Sequence, residues 1–210
     1  IVALNRSLDL ETAQRLGEIF FEVVIAPGFE PEALQHLKRK KSLRLLEMPA
    51  GSSNVLPSPD LDVRLIAGGL LVQTPDIAVD DPGSWQVVTE RSPDEREMAD
   101  LIFAWRAARH IKSNAIVLVR DRAIVGVGSG QPNRLESVRI ASDKAGERAA
   151  GAVLASDAFF PFPDGVEQGL AVGVTAIVQP GGSVRDDLVI EAVNKTGAAM
   201  LFTGTRHFRH

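Results

Sequence analysis

The feature that most constrains the fold is the alternation of short apolar runs with amphipathic stretches, which is clearest in the last third of the chain. The run VTAIVQ is followed by the turn PGGS, by a helical pattern over about residues 185–196 and by the run AAMLFT. Gly173 and Gly197 stand just past predicted helices, where a left-handed cap favours glycine. A strand, a crossover helix and a second strand predict two neighbouring parallel strands. Ligands of such open sheets bind beyond the carboxyl ends of the strands, and here those ends are QPGGS and TGTRHFRH.

The same alternation runs through the rest of the chain and predicts an α/β fold. Ser92 is the predicted N-cap of one helix, with Pro93 at its first position and Glu95 completing a capping box. Asp121 and Arg122 separate two apolar runs and predict a tight hairpin. Further helices are predicted over about residues 10–20, 31–41, 134–155 and 166–172, strands over EVVIAPG, SLRLLEM, SNAIVLVR and AIVGVGSG, and a loop near residues 49–62.

The composition bounds the class of protein. With 210 residues, 45% of them hydrophobic, the chain can build one large domain or two small ones. A net charge of −4 provides no global basic field for nucleic acid or an anionic membrane, so no partner of either kind is expected. The absence of Cys favours a reducing compartment and excludes a disulfide framework and a thiolate zinc site. No apolar run approaches the roughly 20 residues of a membrane span.

The first residues, IVALN, include no Met and resemble the middle of a buried strand. A native start is rarely of this kind. We therefore expect the chain to be the C-terminal portion of a longer polypeptide.

Two glycine-rich turns and a basic C-terminus are candidate anion sites. In GVGSGQPNR, Asn133 is a predicted helix cap and Arg134 adds a positive charge, but the spacing does not fit a dinucleotide fingerprint, and a tight turn that needs glycine is the simpler interpretation. PGGS allows the same two interpretations. Asn114 stands where a strand begins and could pair with a carboxamide or serve as a turn residue. On the residues alone, the chain is an α/β ligand-binding domain with an anion-friendly C-terminal edge.

The stretch SDAFFPFPDG places Phe159, Phe160 and Phe162 within four residues that Pro161 interrupts and Pro163 follows. Such a segment forms neither a regular helix nor a regular strand. Burial of all three rings is its simplest structural interpretation.

These motifs together resemble a known family. KSNAIVLVRD, VGVGSGQPNRLESVRIASDKA, ASDAFFPFPDGVE, GVTAIVQPGGSVRDDLVIEA and FTGTRHFRH are similar to the C-terminal half of the bifunctional purine biosynthesis enzymes that join AICAR transformylase to IMP cyclohydrolase. The resemblance covers residues 1–210. It implies a cytidine-deaminase-like three-layer α/β/α sandwich with a mixed sheet and without zinc, and transfer of a formyl group from 10-formyltetrahydrofolate to the 5-amino group of AICAR. It also implies a cytoplasmic homodimer with its active site at the interface.

The resemblance also implies site residues. The catalytic residue is Asn114, and the AICAR contacts are Asn114, Arg134, Phe159 and Arg206. The folate contacts are Leu135, Phe159, Asp164, Ser183 and Val184, and no metal ligand is implied. Phe160 and Phe162 are expected to anchor their segment in the core, while Phe159 faces the flat heterocycles.

Two parts of the family pattern are not in these 210 residues. The Lys-His pair proposed for proton transfer and the cyclohydrolase domain both precede the position that matches Ile1. His207 and His210 are not favoured as replacements, since a general base needs placement as well as a suitable pKa. Two hypotheses stay open: part of a formyltransferase, or a catalytically inactive binding or dimerisation module of the same fold.

Overall fold

A computed structural model of the chain describes residues 1–49, 61–77 and 79–209. The chain forms two compact units, residues 1–75 and residues 76–210. Most of the loop predicted near residues 49–62 lies outside the described residues, and Asp62 at its end is already part of a strand.

The first unit contains a three-stranded parallel sheet in the order β1-β2-β3 and a separate antiparallel hairpin, β4-β5. Asp9 caps the first helix by accepting a hydrogen bond from the Thr12 N–H at 2.7 Å. That helix ends at Gly17, and the predicted extension to Phe20 is wrong: the chain turns there and leaves the Phe20 ring 76% exposed. The elements are β1 Val2–Ala3, α1 Leu10–Gly17, β2 Val23–Ala26, α2 Pro31–Lys38, β3 Arg44–Glu47, β4 Asp62–Ile66 and β5 Gly69–Gln73.

The second unit is built on a six-stranded mixed sheet in the order β6-β11-β10-β9-β7-β8. Strands β9, β10 and β11 are parallel, whereas β7 is antiparallel to both of its neighbours and β6 is antiparallel to β11. The predicted parallel pairing of the last two strands is thus confirmed. The elements are β6 Gln86–Val87, α3 Glu95–Ala108, β7 Ile116–Arg120, β8 Ala123–Gly128, α4 Arg134–Ala145, β9 Val153–Ser156, α5 Asp164–Ala171, β10 Ala176–Gln179, α6 Asp186–Asn194 and β11 Ala199–Phe202.

Helices cover both faces of this sheet, and each strand divides its apolar side chains between them. In β7, Ile116 and Leu118 pack with residues of α4, α5 and α6, whereas Val117 and Val119 pack with Leu101 and other residues of α3. This period of two is what a strand buried on both faces requires. The second unit is therefore a three-layer α/β/α arrangement.

The helix predicted over residues 134–155 is wrong in its second half. It ends at Ala145, and Gly146 and Gly151, with φ of 56° and 75°, turn the chain into β9 near the middle of the sheet. The apolar residues of β9 are compatible with a helix face, because periodicity alone does not distinguish a short buried strand from a buried helical turn.

Of the predicted turns and caps, the hairpin is confirmed and the capping box of α3 lies at other residues. The Asp121–Arg122 hairpin is confirmed, with φ of 53° and 56° at the two residues, and Asp100 accepts hydrogen bonds from both of their backbone N–H groups. The capping box of α3 is present, but it consists of Asp94 and Glu97 instead of Ser92 and Glu95.

Gly126 and Gly128 lie within β8 and not in an anion-binding loop. A Cβ atom on Gly128 would stand 1.9 Å from the carbonyl oxygen of Ser137, and one on Gly126 would stand 2.1 Å from that of Ala141. Helix α4 therefore packs directly on the backbone of β8, and both glycines are required for this close approach.

Candidate functional site at the carboxyl edge of the sheet

The predicted site residues lie on segments that meet at one edge of the six-stranded sheet. Strands β8, β9, β10 and β11 end there, and β7, which runs in the opposite direction, begins there. We call it the carboxyl edge, and the opposite one, where β10 and β11 begin, the amino edge. The segments at the carboxyl edge contain Asn114, Arg134, Leu135, Phe159, Asp164, Ser183, Val184 and Arg206.

A buried ion pair stands at the centre of the carboxyl edge. Arg134, the first residue of α4, is 8% exposed, and Asp157, which directly follows β9, is fully buried. Nη1 of Arg134 donates to Oδ1 of Asp157 and, at 2.8 Å, to Oγ of Ser156. Oδ2 of Asp157 accepts from the hydroxyl of Ser113. The charge of Arg134 is thus largely neutralised inside the protein.

Asn114 is held by the same network. Its Oδ1 accepts from Nη2 of Arg134 at 2.8 Å, and its Nδ2 donates to the backbone carbonyl of Gln131 at 2.8 Å. The two hydrogen bonds fix which end of the amide is the oxygen. An Asn amide has two N–H groups, so one remains for a ligand.

The burial of the three phenylalanines in SDAFFPFPDG differs from the prediction. Phe160 is buried, its backbone N–H donates to Oε1 of Gln179 at 2.7 Å, and its ring lies where a Cβ of Gly165 would be. Phe159 is partly buried. The prediction that Phe162 anchors the segment in the core is wrong: its ring is 49% exposed, and the guanidinium of Arg185 lies 4.2 Å from the ring centre.

The folate-side residues of the prediction are accessible. Leu135 is 40% exposed and Val184 is fully exposed. Asp164, the first residue of α5, is also exposed, and its Oδ1 accepts only from the neighbouring Gly165 N–H in the described hydrogen bonds. Carboxylates and apolar side chains of this kind can contact a ligand without prior rearrangement.

The PGGS turn does not offer its backbone N–H groups to a ligand. Those of Gly182 and Ser183 donate to Oδ2 of Asp186, at 2.7 and 3.1 Å. The side-chain carboxylate of Asp186 therefore occupies the position that an external anion would take.

The C-terminal segment is anchored and exposes one arginine of the predicted site. The ring of His207 is buried, with Nδ1 2.7 Å from Asp76, Nε2 3.1 Å from Asp80, and its centre 5.2 Å from that of Trp105. Arg206 is exposed, stands 5.0 Å from the ring centre of Phe208, and has no carboxylate within ion-pair distance among the described residues. His210 lies outside the described residues.

A second ion pair stands at the amino edge. Arg91 donates to Glu97 through both terminal nitrogens, at 2.7 and 3.0 Å, and also to the backbone carbonyls of Gly197 and Thr175. Burial is the largest single influence on the pKa of Glu97 and acts to raise it, but hydrogen bonds with Arg91, Thr175 and the Asp94 backbone, together with the charge of Arg91, hold the pKa below its ordinary value near 4.5. The hydrogen bonds to Glu97 raise the pKa of Arg91.

Sequence reasoning missed three residues of the carboxyl edge, namely Ser156, Asp157 and Gln179. All three are buried polar side chains that directly follow or end a strand. A polar residue at the end of an apolar run is the available signal, but the residues of β9 also fit the helix predicted over residues 134–155.

Within residues 1–49, 61–77 and 79–209 no cluster of three or more His, Asp or Glu side chains could hold a metal ion. No helix in the same ranges is long and apolar enough to cross a membrane.

The chain is similar to proteins of one family along its whole length. Residues 1–144 match the family model described as AICARFT/IMPCHase bienzyme. The chain is 52% identical over 210 residues to the bifunctional purine biosynthesis protein PurH of Thermoanaerobacter sp. (strain X514), 53% identical over 210 residues to that of Nostoc punctiforme, and 51% identical over 211 residues to that of Streptococcus suis. Each alignment covers 100% of this chain and 40–41% of the relative. The chain therefore belongs to the AICARFT/IMPCHase bienzyme family.

Proposed function

We propose that this chain is the C-terminal part of an AICAR transformylase domain acting in purine biosynthesis. The reaction transfers a formyl group from 10-formyltetrahydrofolate to the 5-amino group of AICAR. The observation that supports it best is that every implied contact residue stands on a segment at the carboxyl edge, the edge at which sheets of this kind bind ligands. The proposal includes a zinc-free cytidine-deaminase-like fold and a cytoplasmic location, which follow from the family resemblance.

The chemistry requires positioning and charge stabilisation. The amine nitrogen of AICAR attacks the formyl carbon, and the formyl oxygen becomes negative in the tetrahedral intermediate. The bond from that carbon to N10 of the folate then breaks, N10 takes up a proton, and the amine loses one. The amine is a weak nucleophile, because its lone pair is delocalised into the imidazole, so its orientation is decisive.

Asn114 suits the role of hydrogen-bond donor in this step. Its remaining Nδ2 N–H would donate to the carboxamide of AICAR or to the formyl oxygen, where a preorganised donor stabilises developing charge. The contact between its Oδ1 and Arg134 polarises the amide and strengthens that donation. In this proposal Arg134 acts beside the nucleotide while Arg206, exposed and without a carboxylate partner in the described ranges, binds the phosphate.

The remaining residues suit flat and donor-rich ligands. Phe159 would stack on the heterocycles, and Leu135, Ser183 and Val184 would line the folate side. Asp164, an exposed carboxylate, would accept from the N–H donors of the pteridine. The proton acceptor is proposed to be the Lys-His pair of the family, since His207 is enclosed by Asp76 and Asp80.

A homodimer is part of the proposal, and the β4-β5 hairpin supports it. Its side chains Val63, Leu65, Leu70 and Val72 are each at least half exposed, and the cross-strand pairs Val63–Val72 and Leu65–Leu70 place them on one face of the hairpin. A contiguous apolar surface of this kind is typical of a protein interface.

The test is an assay of the full-length protein with AICAR and 10-formyltetrahydrofolate. We expect formation of formyl-AICAR together with tetrahydrofolate, and a fall in kcat of about a hundredfold in Asn114→Ala. Asn194→Ala is the matched control, because Asn194 ends α6 and its Oδ1 accepts from the Glu90 N–H at the amino edge. A folded dimer without folate-dependent formylation would instead support an inactive binding or dimerisation module.

A further inference from the structure

Asp157 is the most deeply buried charged side chain at the carboxyl edge, and it is not among the contact residues that the family resemblance implies. We propose that Asp157 is a positioning residue of the formyl transfer: it holds Arg134 in the one orientation that fixes the amide of Asn114. The inference rests on the proposed function. It adds a residue that has no contact with substrate.

Asp157 compensates the buried charge of Arg134. Arg134 is 8% exposed, and an unpaired guanidinium at such a site would be strongly disfavoured. Asp157, at 0% exposure, supplies the compensating negative charge, and its Oδ1 accepts a hydrogen bond from Nη1 of Arg134. Because this pair is neutral overall, Arg134 is poorly suited to attract a phosphate and well suited to orient its neighbours.

The planar guanidinium of Arg134 links Asp157 to Asn114. A guanidinium is planar, so a group that fixes Nη1 also fixes the direction of Nη2. Asp157 and Ser156 fix Nη1, and Nη2 then donates to Oδ1 of Asn114 at 2.8 Å. The carbonyl of Gln131 holds the opposite end of the same amide at 2.8 Å. The orientation of the catalytic amide is thus set by a side chain 43 positions later in the sequence.

Asp157 also has contacts that could be purely structural. Its carboxylate accepts from Ser113, its N–H donates to the carbonyl of Ala115, and its carbonyl accepts from the His207 N–H. Loss of stability in a variant would therefore say nothing about positioning. The test needs a readout that a structural role would leave unchanged.

The test compares two isosteric substitutions in the full-length protein, Asp157→Asn and Glu97→Gln. Each removes the negative charge of an Arg–carboxylate pair in the second unit, the first at the carboxyl edge and the second at the amino edge. We expect Asp157→Asn to lower kcat by about thirtyfold while KM for AICAR changes by less than about threefold. Glu97→Gln should leave the kcat of the folded protein unchanged.

A double-mutant cycle decides whether Asp157 acts through Asn114. In the Asn114→Ala background, Asp157→Asn should change kcat by less than about twofold, since the group that it positions is gone. Effects that multiply in the double variant would overturn the inference. So would a kcat for Asp157→Asn equal to that of Glu97→Gln.

If Asp157→Asn does not fold, Ser156→Ala provides the same test with both charges kept. It removes the hydrogen bond from Nη1 of Arg134 to the Ser156 hydroxyl and the bond from that hydroxyl to the Ala158 carbonyl, and the Asn114→Ala background separates the two effects. We expect kcat to fall by about threefold in the parent and not at all in the Asn114→Ala background; an unchanged kcat in the parent would contradict the inference. A parent without formylation would refute the proposed function, whereas an active parent with these contrary results would refute only this inference.

Discussion

The two edges of the six-stranded sheet each contain an arginine paired with a buried carboxylate, and the pairs differ in what else the arginine contacts. At the amino edge, Arg91 donates to Glu97 and to the backbone carbonyls of Gly197 and Thr175. At the carboxyl edge, Arg134 donates to Asp157 and to two side chains, Ser156 and Asn114.

This difference separates an ion pair with only structural contacts from one that contacts a residue of the proposed site. The Arg91 pair joins the start of α3 to the starts of β10 and β11, so its hydrogen bonds go to fixed backbone. The Arg134 pair ends on the amide of Asn114, a partly buried side chain with one N–H left for a ligand. Both carboxylates are buried, but the Arg91 side chain is 36% exposed and that of Arg134 only 7%, so the exposure of the arginine and its further partners separate the two pairs.

The largest effect is expected for Arg134→Met in the full-length protein. Formyl transfer should fall by about a hundredfold or more, and the free energy of unfolding by about 3–5 kcal/mol, because Asp157 is left buried and unpaired. Steady-state kinetics and urea denaturation measure the two quantities. Arg91→Met is the matched control, with lower stability but an unchanged kcat for the folded protein. Equal loss of kcat in both variants would remove the functional distinction between the edges.

Arg206→Ala tests which arginine of the carboxyl edge binds the nucleotide. We expect AICAR binding, measured by titration calorimetry, to weaken by about 1.5–3 kcal/mol, the range for a charge-assisted hydrogen bond. Arg209→Ala is the control, because Arg209 is exposed in the same segment and contacts the carbonyl of His110. An unchanged affinity in Arg206→Ala would exclude Arg206 from the site.

Phe159→Ala tests whether the partly buried ring at the carboxyl edge serves the ligands or the core. We expect turnover to fall by at least about tenfold with the fold intact, because a ring that stacks on the heterocycles is lost. In contrast, Phe160→Ala should lower the free energy of unfolding by about 3–5 kcal/mol. A normal rate in Phe159→Ala would show that this ring, too, is only packing.

The smallest effect is expected at the amino edge, for Glu97→Gln. Because the folded-state pKa of Glu97 is lowered, its charge stabilises the fold above its ordinary pKa near 4.5, and this contribution is lost as the pH falls through the lowered value. The parent should therefore be more stable than Glu97→Gln by about 1–2 kcal/mol near pH 7. The difference should shrink below about pH 4.5 in urea denaturation. A pH-independent difference would mean that packing, not charge, makes Glu97 stabilising.

Features encoded by neighbouring residues could be predicted from the sequence. The Asp121–Arg122 hairpin, the Asn133 cap, which accepts from the Glu136 N–H, and the parallel pair β10-β11 all depend on short-range signals. The predicted N-cap of α3, Ser92, lies two residues before the observed N-cap, Asp94. Both residue types are suited to an N-cap, and only the tertiary structure selects between them. The edge at which ligands are proposed to bind was predicted from the order of strands and helices.

Features that depend on distant residues could not be predicted. Strand β9 is recognisable as a strand only once β7 and β10 pair with it. Arg134 and Asp157 are 23 positions apart, and nothing in their local sequence pairs them. The use of the Gly182 and Ser183 N–H groups by Asp186, and the exposure of Phe162 under Arg185, likewise follow from side-chain placement that periodicity does not encode.

The close packing of α4 on β8 has a consequence for how natural variation in this family is interpreted. A single methyl group on Gly128 would collide with the Ser137 carbonyl and push away the first turn of α4, which begins at Arg134. A substitution at this glycine is thus expected to lower formyl transfer as a change in the proposed site would, although the added atom faces the interior of the protein and no substrate. Genetic screens that weight residues by distance to ligand would misclassify it.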